Sequence, residues 1–170
     1  LASQAIGLMT LSDSDKAGVA RALGAAFDKI HGVRPDDNQM RIEFVKALGS
    51  LHNSAATPIL VGIMQNQSEN QHFLINRLAA RMLGEFGDPD AVEPMIGALF
   101  QFAPNNPAGR MNDVASEALV RIGTPALAPM LQAMNLHHCL LVQRNGCGLL
   151  ARIAEAAQLP EKEQMIKAGS

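Results

Sequence analysis

RLAARMLGEFGDPDAVEPMIGAL, residues Arg77 to Leu99, contains two apolar patterns of helical spacing on either side of a Gly-Asp-Pro turn. An Asp followed by a Pro is typical of a helix N-terminus, where Asp88 can cap backbone N–H groups and Pro89 fits the first helical position. Neither pattern alternates as a strand would. The stretch therefore predicts a first helix, a tight turn and a second helix.

Two further stretches repeat this unit, FVKALGSLHNSAATPILVGIM upstream and VASEALVRIGTPALAPMLQAM downstream. Prolines give the register: Pro58 and Pro94 are 36 residues apart (94 − 58), and Pro94 and Pro129 are 35 apart (129 − 94). This difference predicts one extra residue in the middle turn. Each helix carries one apolar stripe that a single pair cannot bury, so neighbouring pairs must stack.

The turns of the other two copies carry related chemistry. Thr124 followed by Pro125 repeats the capping residue and the proline, and Asn53 followed by Ser54 is a weaker version. These turns support the assignment of three helical pairs.

The middle copy also resembles a known repeat. The residues Arg77, Ala79-Ala80, Leu83-Gly84, Gly87-Asp88-Pro89, Ala91-Val92 and Ala98-Leu99 match the pattern of the short HEAT repeats often called bilin-lyase HEAT-like repeats. The copies beginning near Asn38 and Asn112 fit more loosely and lack the Asp at the turn. The resemblance implies an all-α fold, an α-solenoid (superhelix) of stacked HEAT-like helical hairpins.

The chain divides into three parts under this interpretation. Residues 38–135 are expected to form three HEAT-like repeats, preceded by an N-terminal helical cap or partial repeat at 1–37. Residues 136–170 are expected to form a C-terminal helical repeat or cap, with one long helix from Leu136 to Ala154. Because the chain begins at Leu1 rather than Met, we expect it to be a fragment of a larger protein or a processed chain.

Composition argues against several classes of partner. The 170 residues include 14 Lys and Arg against 16 Asp and Glu, a formal net charge of −2. The chain has neither Trp nor Tyr and only six Phe, so a basic, aromatic surface for nucleic acid is not expected. No stretch approaches the roughly 18 consecutive apolar residues of a membrane span. We therefore expect no nucleic-acid partner and no membrane partner.

One metal-like cluster stands out in the sequence, His137, His138 and Cys139 together with Cys147. Zinc needs about four converging ligands, whereas adjacent helical residues point about 100° apart. We therefore expect no metal and no cofactor, and interpret Cys139 and Cys147 as small buried residues on a core stripe. On one helix they would lie about 12 Å apart, too far for a disulfide, and free thiols favour a cytoplasmic location.

Enzymatic activity is not expected, because the chain contains no recognised catalytic motif. Some HEAT-repeat proteins are di-iron hydroxylases that use His-Glu pairs, but no His in this chain is followed by Glu. Others are DNA glycosylases, which need a cationic surface that this charge balance does not supply.

The first and second helices are expected to offer different surfaces. Arg77, Arg81 and Glu85 on the first helix have i, i+4 spacing and predict a solvated outer face. The outward side of the second helices carries few charges and resembles an interface in composition. We predict that a protein partner binds there, through Val61, Met64, Gln65, Phe100, Gln101 and Gln132. The alternative is that Met64 and Phe100 pack between neighbouring repeats.

The sequence thus favours a non-catalytic protein-binding scaffold of HEAT-like repeats, with a partner that the sequence does not identify. The alternative implied by the resemblance is a bilin (phycobilin) lyase-like protein that binds a linear tetrapyrrole. The segment from Gln101 to Asp113 is longer than its upstream counterpart, and it is either a binding loop or a passive connection.

Overall fold

The computed structural model describes residues 11–32, 34–68, 70–103, 106–136 and 140–157. Within these ranges the fold is helical, as predicted. The α-helices are α1 (Asp13–Asp28), α2 (Pro35–Ser50), α3 (Thr57–Gln65), α4 (Phe73–Phe86), α5 (Val92–Ala98), α6 (Asn112–Ile122), α7 (Leu127–Leu136) and α8 (Leu140–Ala156). Short 3-10 turns lead directly into α3, α5 and α7; they are Ser54–Ala56, Pro89–Ala91 and Thr124–Ala126.

A short hairpin interrupts the helices after α5. Strands β1 (Phe102–Ala103) and β2 (Asn106–Arg110) pair antiparallel, and the Met111 N–H donates to the Gln101 carbonyl at 3.1 Å. The expectation that the chain has no strand is therefore wrong at this place. The segment has no alternation of apolar and polar residues, so its strands arise from backbone pairing that a side-chain pattern does not reveal.

The turn around Asp88 forms as the sequence predicts. Gly87 ends α4 with a left-handed φ of 72°, a conformation that glycine adopts without a steric penalty. Asp88 Oδ1 then accepts the Asp90 N–H at 3.0 Å, with Pro89 at the first position of the turn. Its carboxylate therefore satisfies one of the free N–H groups at the helix start.

The two related turns differ from each other. Asn53 Oδ1 accepts the Ala55 N–H at 3.0 Å, so this turn is capped in the same way. The third turn is preceded by Gly123, and no side chain caps it. The prediction that Thr124 and Pro125 repeat the capped turn is therefore wrong, since the capping position holds a residue without a side chain.

The 3-10 turns are evenly spaced along the chain, because 54 to 89 and 89 to 124 are both steps of 35. Pro58 is the second residue of α3, whereas Pro94 and Pro129 are the third residues of their helices. The unequal proline spacing thus reflects different positions within the helices. Three residues (51–53) separate α2 from its turn, two (87–88) separate α4, and Gly123 alone separates α6. The predicted extra residue in the middle turn is therefore present relative to the third copy and absent relative to the first.

Burial in the second helices repeats with the same step of 35. Positions at the inner side are buried in all three copies: Leu60, Met95 and Met130, and likewise Met64, Leu99 and Met134. In the first helices Leu48, Leu83 and Leu119 are completely buried. The apolar spacing that predicted these stripes is confirmed for those positions.

The helices pack in a regular order. Among the first helices, α2 packs against α4, α4 against α6, and α6 against α8. Each second helix packs on the first helix that follows it, α3 on α4, α5 on α6 and α7 on α8, and also contacts the next second helix where one follows. Where α4 crosses α6, a Cβ built on Gly84 would lie 2.6 Å from Ala118 Cα, so the two helices approach each other closely.

At the C-terminal side, the structure describes α7 as far as Leu136 and α8 from Leu140 to Ala156. The beginning of the predicted long helix adjoins residues 137–139, which lie outside the described residues, so it stays a prediction. In the part of the chain described here, no helix is both long and apolar enough to cross a membrane.

Candidate functional site

The six residues predicted to bind a partner have different environments. Gln65 and Gln132 are exposed, and Phe100 is 45% exposed. Val61 is half-buried, and Met64 is completely buried at 0% exposure. The prediction that the Met64 side chain contacts a partner is therefore wrong.

The error at Met64 has a simple geometric origin. Aligning Pro58 with Pro94 makes Met64 equivalent to Phe100, whereas the even step of 35 makes Gln65 equivalent to Phe100. A helical residue one position away points about 100° to the side. The proline alignment was shifted by one residue, so it selected the buried Met64 instead of the exposed Gln65 in the first copy.

Gln101 is placed by a contact within the fold. Its side-chain Nε2 donates to the Met64 carbonyl at 3.2 Å, near the end of α3. That carbonyl has no acceptor role inside its own helix, because the last four carbonyls of a helix lack a later N–H. Gln101 thus anchors the start of the hairpin to α3.

With the corrected register, the exposed positions of the second helices fall into three equivalent sets. We call them the second-helix strip: Pro58, Gly62, Gln65, Glu93, Gly97, Phe100, Ala128, Gln132 and Asn135. All nine are exposed, and Glu93 is the one charged residue among them. Charged residues are depleted in the cores of protein interfaces, and aromatic residues are enriched there.

Two glycines of the strip have no packing reason among the residues that the structure describes. A Cβ built on Gly62 or Gly97 would meet no atom within 4 Å. Glycine inside a helix is less stable than alanine by about 0.5–1 kcal/mol. Glycine at these positions therefore lowers helix stability, and it leaves the surface open to close approach by a partner.

The outer face of the first helices carries a network of charges. Arg81 and Arg121 both bind Glu85, at 3.0 and 3.4 Å, and Arg121 also binds Glu117 at 2.6 Å. These side chains are largely exposed, so such pairs contribute little to stability. The prediction of a solvated outer face is confirmed for Arg81 and Glu85.

Arg77 behaves differently from this outer face. Its guanidinium forms two bonds with the Asp113 carboxylate, at 2.7 and 2.5 Å, and also donates to the Arg110 carbonyl. Hydrogen bonding to Asp113 raises the pKa of Arg77, and hydrogen bonding to Arg77 lowers the pKa of the Asp113 carboxyl. The prediction that Arg77 is simply solvated is wrong, because it joins α4 to the end of the hairpin.

Sequence reasoning missed a set of polar side chains at the ends of second helices. Asn76 is 1% exposed and donates to the Met64 and Asn66 carbonyls at 2.9 and 2.6 Å. Asn112 donates to the Leu99 carbonyl at 3.4 Å, an equivalent position in the next copy. The recurrence of Asn in the first turns of α4 and α6 was the available signal.

A buried arginine occupies the corresponding region of α2. Arg41 is 6% exposed, lies 4.2 Å from the ring centroid of Phe27, and donates to Gln71 Oε1 at 2.8 Å. Burial lowers the pKa of Arg41, and the charge of Asp28 acts in the opposite direction. Gln71 in turn donates to the Ile63 carbonyl at 2.7 Å, so this group also supports the end of α3.

The predicted cysteine and histidine cluster is only partly described. His137, His138 and Cys139 lie outside the described residues. Cys147 is exposed, because α8 buries the side of Leu149 and Ile153; the prediction of a buried Cys147 is therefore wrong. Across the described ranges, no group of three or more His, Cys, Asp or Glu could hold a metal ion.

No protein-family model matches the chain, and a comparison with curated proteins found no match. The HEAT-like assignment consequently remains an interpretation of the residues from Arg77 to Leu99 and of their repetition.

Proposed function

We propose that the chain is a solenoid of HEAT-like helical pairs that acts as a non-catalytic scaffold and binds a protein partner through the second-helix strip. The order of packing supports this architecture, because each first helix packs on the next and each second helix contacts its successor. The burial pattern of the second helices repeats with the step of 35 that such stacking requires.

One observation carries the functional proposal, the nearly uncharged strip of exposed residues at equivalent positions of α3, α5 and α7. The outer face of the first helices, by contrast, carries charged side chains such as Arg81 and Glu85. The open glycines allow the backbone of a partner to approach, and Phe100 offers an aromatic side chain to a partner pocket. Such aromatic anchors often contribute more than about 2 kcal/mol of binding energy when they are truncated.

The test is a comparison of captured proteins. Immobilised protein is incubated with a lysate of its source cells, in parallel with Phe100→Ala and with Arg81→Ala. Arg81 is the matched control because its exposed side chain belongs to the outer face of the first helices and, within the described ranges, forms its ion pair with Glu85 of its own helix. We expect the partner to be retained by the unchanged protein and by Arg81→Ala, and to be lost with Phe100→Ala.

Titration of the purified partner then gives the affinities, and circular dichroism checks that helicity is unchanged. If Arg81→Ala lost binding and Phe100→Ala bound normally, the partner would bind to the first helices instead. Equal capture by all three proteins would contradict a role of the strip.

The tetrapyrrole alternative makes a separate prediction. A protein that holds a bilin should shift the absorbance spectrum of the free pigment on mixing, with a saturable dependence on protein concentration. An unchanged spectrum would leave the scaffold proposal intact and remove this alternative.

A further inference from the structure

A cleft of about 500 Å³ opens where α5, α6, α7 and α8 meet. Leu99, Met130 and Leu149, each of which is almost completely buried, form the apolar part of its lining, and Asn112 and Ser116 of α6 add polar side chains. Phe100 lies at one edge of the cleft, and its side chain is partly exposed. This volume lies within the range of pockets that hold small molecules, about 300–1,000 Å³.

Two glycines of α8 border the cleft, and only one has a packing reason. A Cβ on Gly146 would lie 2.4 Å from the sulfur of Met134, so contact with α7 requires a glycine there. A Cβ on Gly148 would meet no atom within 4 Å. Since glycine destabilises a helix interior relative to alanine, Gly148 has a cost in α8 that no contact with the described residues explains. Because Gly148 has no side chain, α8 leaves the cleft open at this position.

A positively charged side chain lies on the same side of α8 as Gly148. Arg152 follows Gly148 by one helical turn, lines the cleft and is exposed. Among the residues that the structure describes, no carboxylate forms an ion pair with Arg152. The exposed residue Asn145 borders the cleft about two helical turns before Arg152. The cleft therefore has a mixed lining of apolar and polar residues, and Arg152 gives it a positive charge.

We infer that this cleft binds a small amphiphilic carboxylate, a molecule with an unbranched apolar body and one carboxylate head group, of the type of a medium-chain fatty acid. The body lies on the side of the cleft formed by Leu99, Met130 and Leu149, where its own apolar surface is removed from water. The head group pairs with the Arg152 guanidinium, whose fork of donors matches a carboxylate. This inference can be tested separately from the scaffold proposal, because these four residues lie outside the second-helix strip, although Phe100 of the strip borders the cleft.

Dodecanoate is the probe, kept below the concentration at which it forms micelles and titrated by calorimetry. Two molecules with the same chain serve as comparators, dodecanol without a charge and dodecyltrimethylammonium with the opposite charge. We expect saturable binding of one dodecanoate per chain, and at least tenfold weaker binding of both comparators. In the unchanged protein, the methyl resonances of Leu149 and Met130 should shift during the titration.

Two variants test the assignment of the site. Arg152→Gln removes the charge and should weaken dodecanoate binding at least tenfold, with little change for dodecanol. Gly148→Leu fills the cleft and should abolish binding. The matched controls are Arg81→Gln, an exposed arginine of α4, and Gly97→Leu, a glycine with equally open space in α5. Both controls should bind dodecanoate as the unchanged protein does.

Several results would overturn the inference: no saturable binding, equal affinity for dodecanol, or full binding by Gly148→Leu with normal circular dichroism. If Gly148→Leu does not fold, the resonances of the unchanged protein decide. Binding that leaves Leu149 and Met130 unshifted would place the ligand elsewhere and contradict the proposal.

Discussion

The hydroxyl of Thr57 donates to Oδ2 of Asp88 at 2.5 Å, and the other oxygen of the same carboxylate caps the turn that begins at Pro89. Thr57 is the first residue of α3, whereas Asp88 precedes α5. One carboxylate therefore joins the beginnings of two consecutive second helices. The Asp of the Gly-Asp-Pro turn has a role within its own pair and a second role between pairs.

Removal of this carboxylate should destabilise the protein through both bonds. We expect Asp88→Ala to lower the free energy of unfolding by about 1–3 kcal/mol, because a helix cap and a bond to the buried Thr57 are lost together. Thr57→Val should cost less, since the cap remains. Urea denaturation of the single and double variants measures both effects and their coupling.

The matched control for this pair is Asp90→Ala, which changes an exposed carboxylate in the same turn and should stay within about 0.5 kcal/mol. If the effects of Asp88→Ala and Thr57→Val simply add in the double variant, the two side chains do not interact in solution.

Glycine-to-alanine substitutions should have opposite effects at two positions. At Gly84 the new Cβ would lie 2.6 Å from Ala118 Cα, so Gly84→Ala forces α4 and α6 apart and should cost about 1–3 kcal/mol. At Gly97 the Cβ enters open space, so Gly97→Ala should stabilise by about 0.4–1 kcal/mol. Thermal unfolding of both variants measures the difference, and a stabilising Gly84→Ala would contradict the close crossing.

The ion pair of Arg77 and Asp113 should make stability depend on pH in a defined direction. Because its pKa is lowered in the folded protein, Asp113 binds fewer protons folded than unfolded. Its contribution is therefore fully present above the usual carboxyl pKa of about 3.9 and is lost as pH falls through the lower folded value. Asp113 is largely exposed, so the contribution at pH 7 should stay below about 1 kcal/mol.

Thermal unfolding of the unchanged protein and of Asp113→Asn at several pH values tests this dependence. The difference in melting temperature should be present at pH 7, should shrink in acid and should decrease with added salt. A difference that persists unchanged at low pH would mean that the carboxylate charge is not its cause.

The helical pairs and their core were predictable, because apolar periodicity and the Asp88 turn are local signals. Leu83 illustrates this, since its helical stripe placed it correctly in the core. The alignment of one copy with the next was harder to predict from the sequence. Proline tolerates more than one position in a first helical turn, so aligning Pro58 with Pro94 shifted one copy by a residue.

The contacts between distant segments could not be predicted from spacing. Arg77 and Asp113 belong to two successive copies and form an ion pair. The sequence does not show that they meet, because their distance depends on the course of the hairpin that connects the copies. Asn76 gave a recurring signal with Asn112, yet a buried polar residue in a helix is understandable only when the carbonyls that it satisfies are located. Long-range polar partners depend on tertiary structure in a way that apolar stripes do not.

The corrected register makes a final prediction about Met64 and Phe100, which the proline alignment treated as equivalent. Met64 is completely buried and Phe100 is 45% exposed. Met64→Ala should therefore leave a cavity and cost about 2–5 kcal/mol, whereas Phe100→Ala should cost less than about 2 kcal/mol, since the full penalty applies to buried rings. Chemical denaturation monitored by circular dichroism compares the two variants under identical conditions. Similar losses would identify Phe100 as a core residue, and the second-helix strip would then lack its aromatic anchor.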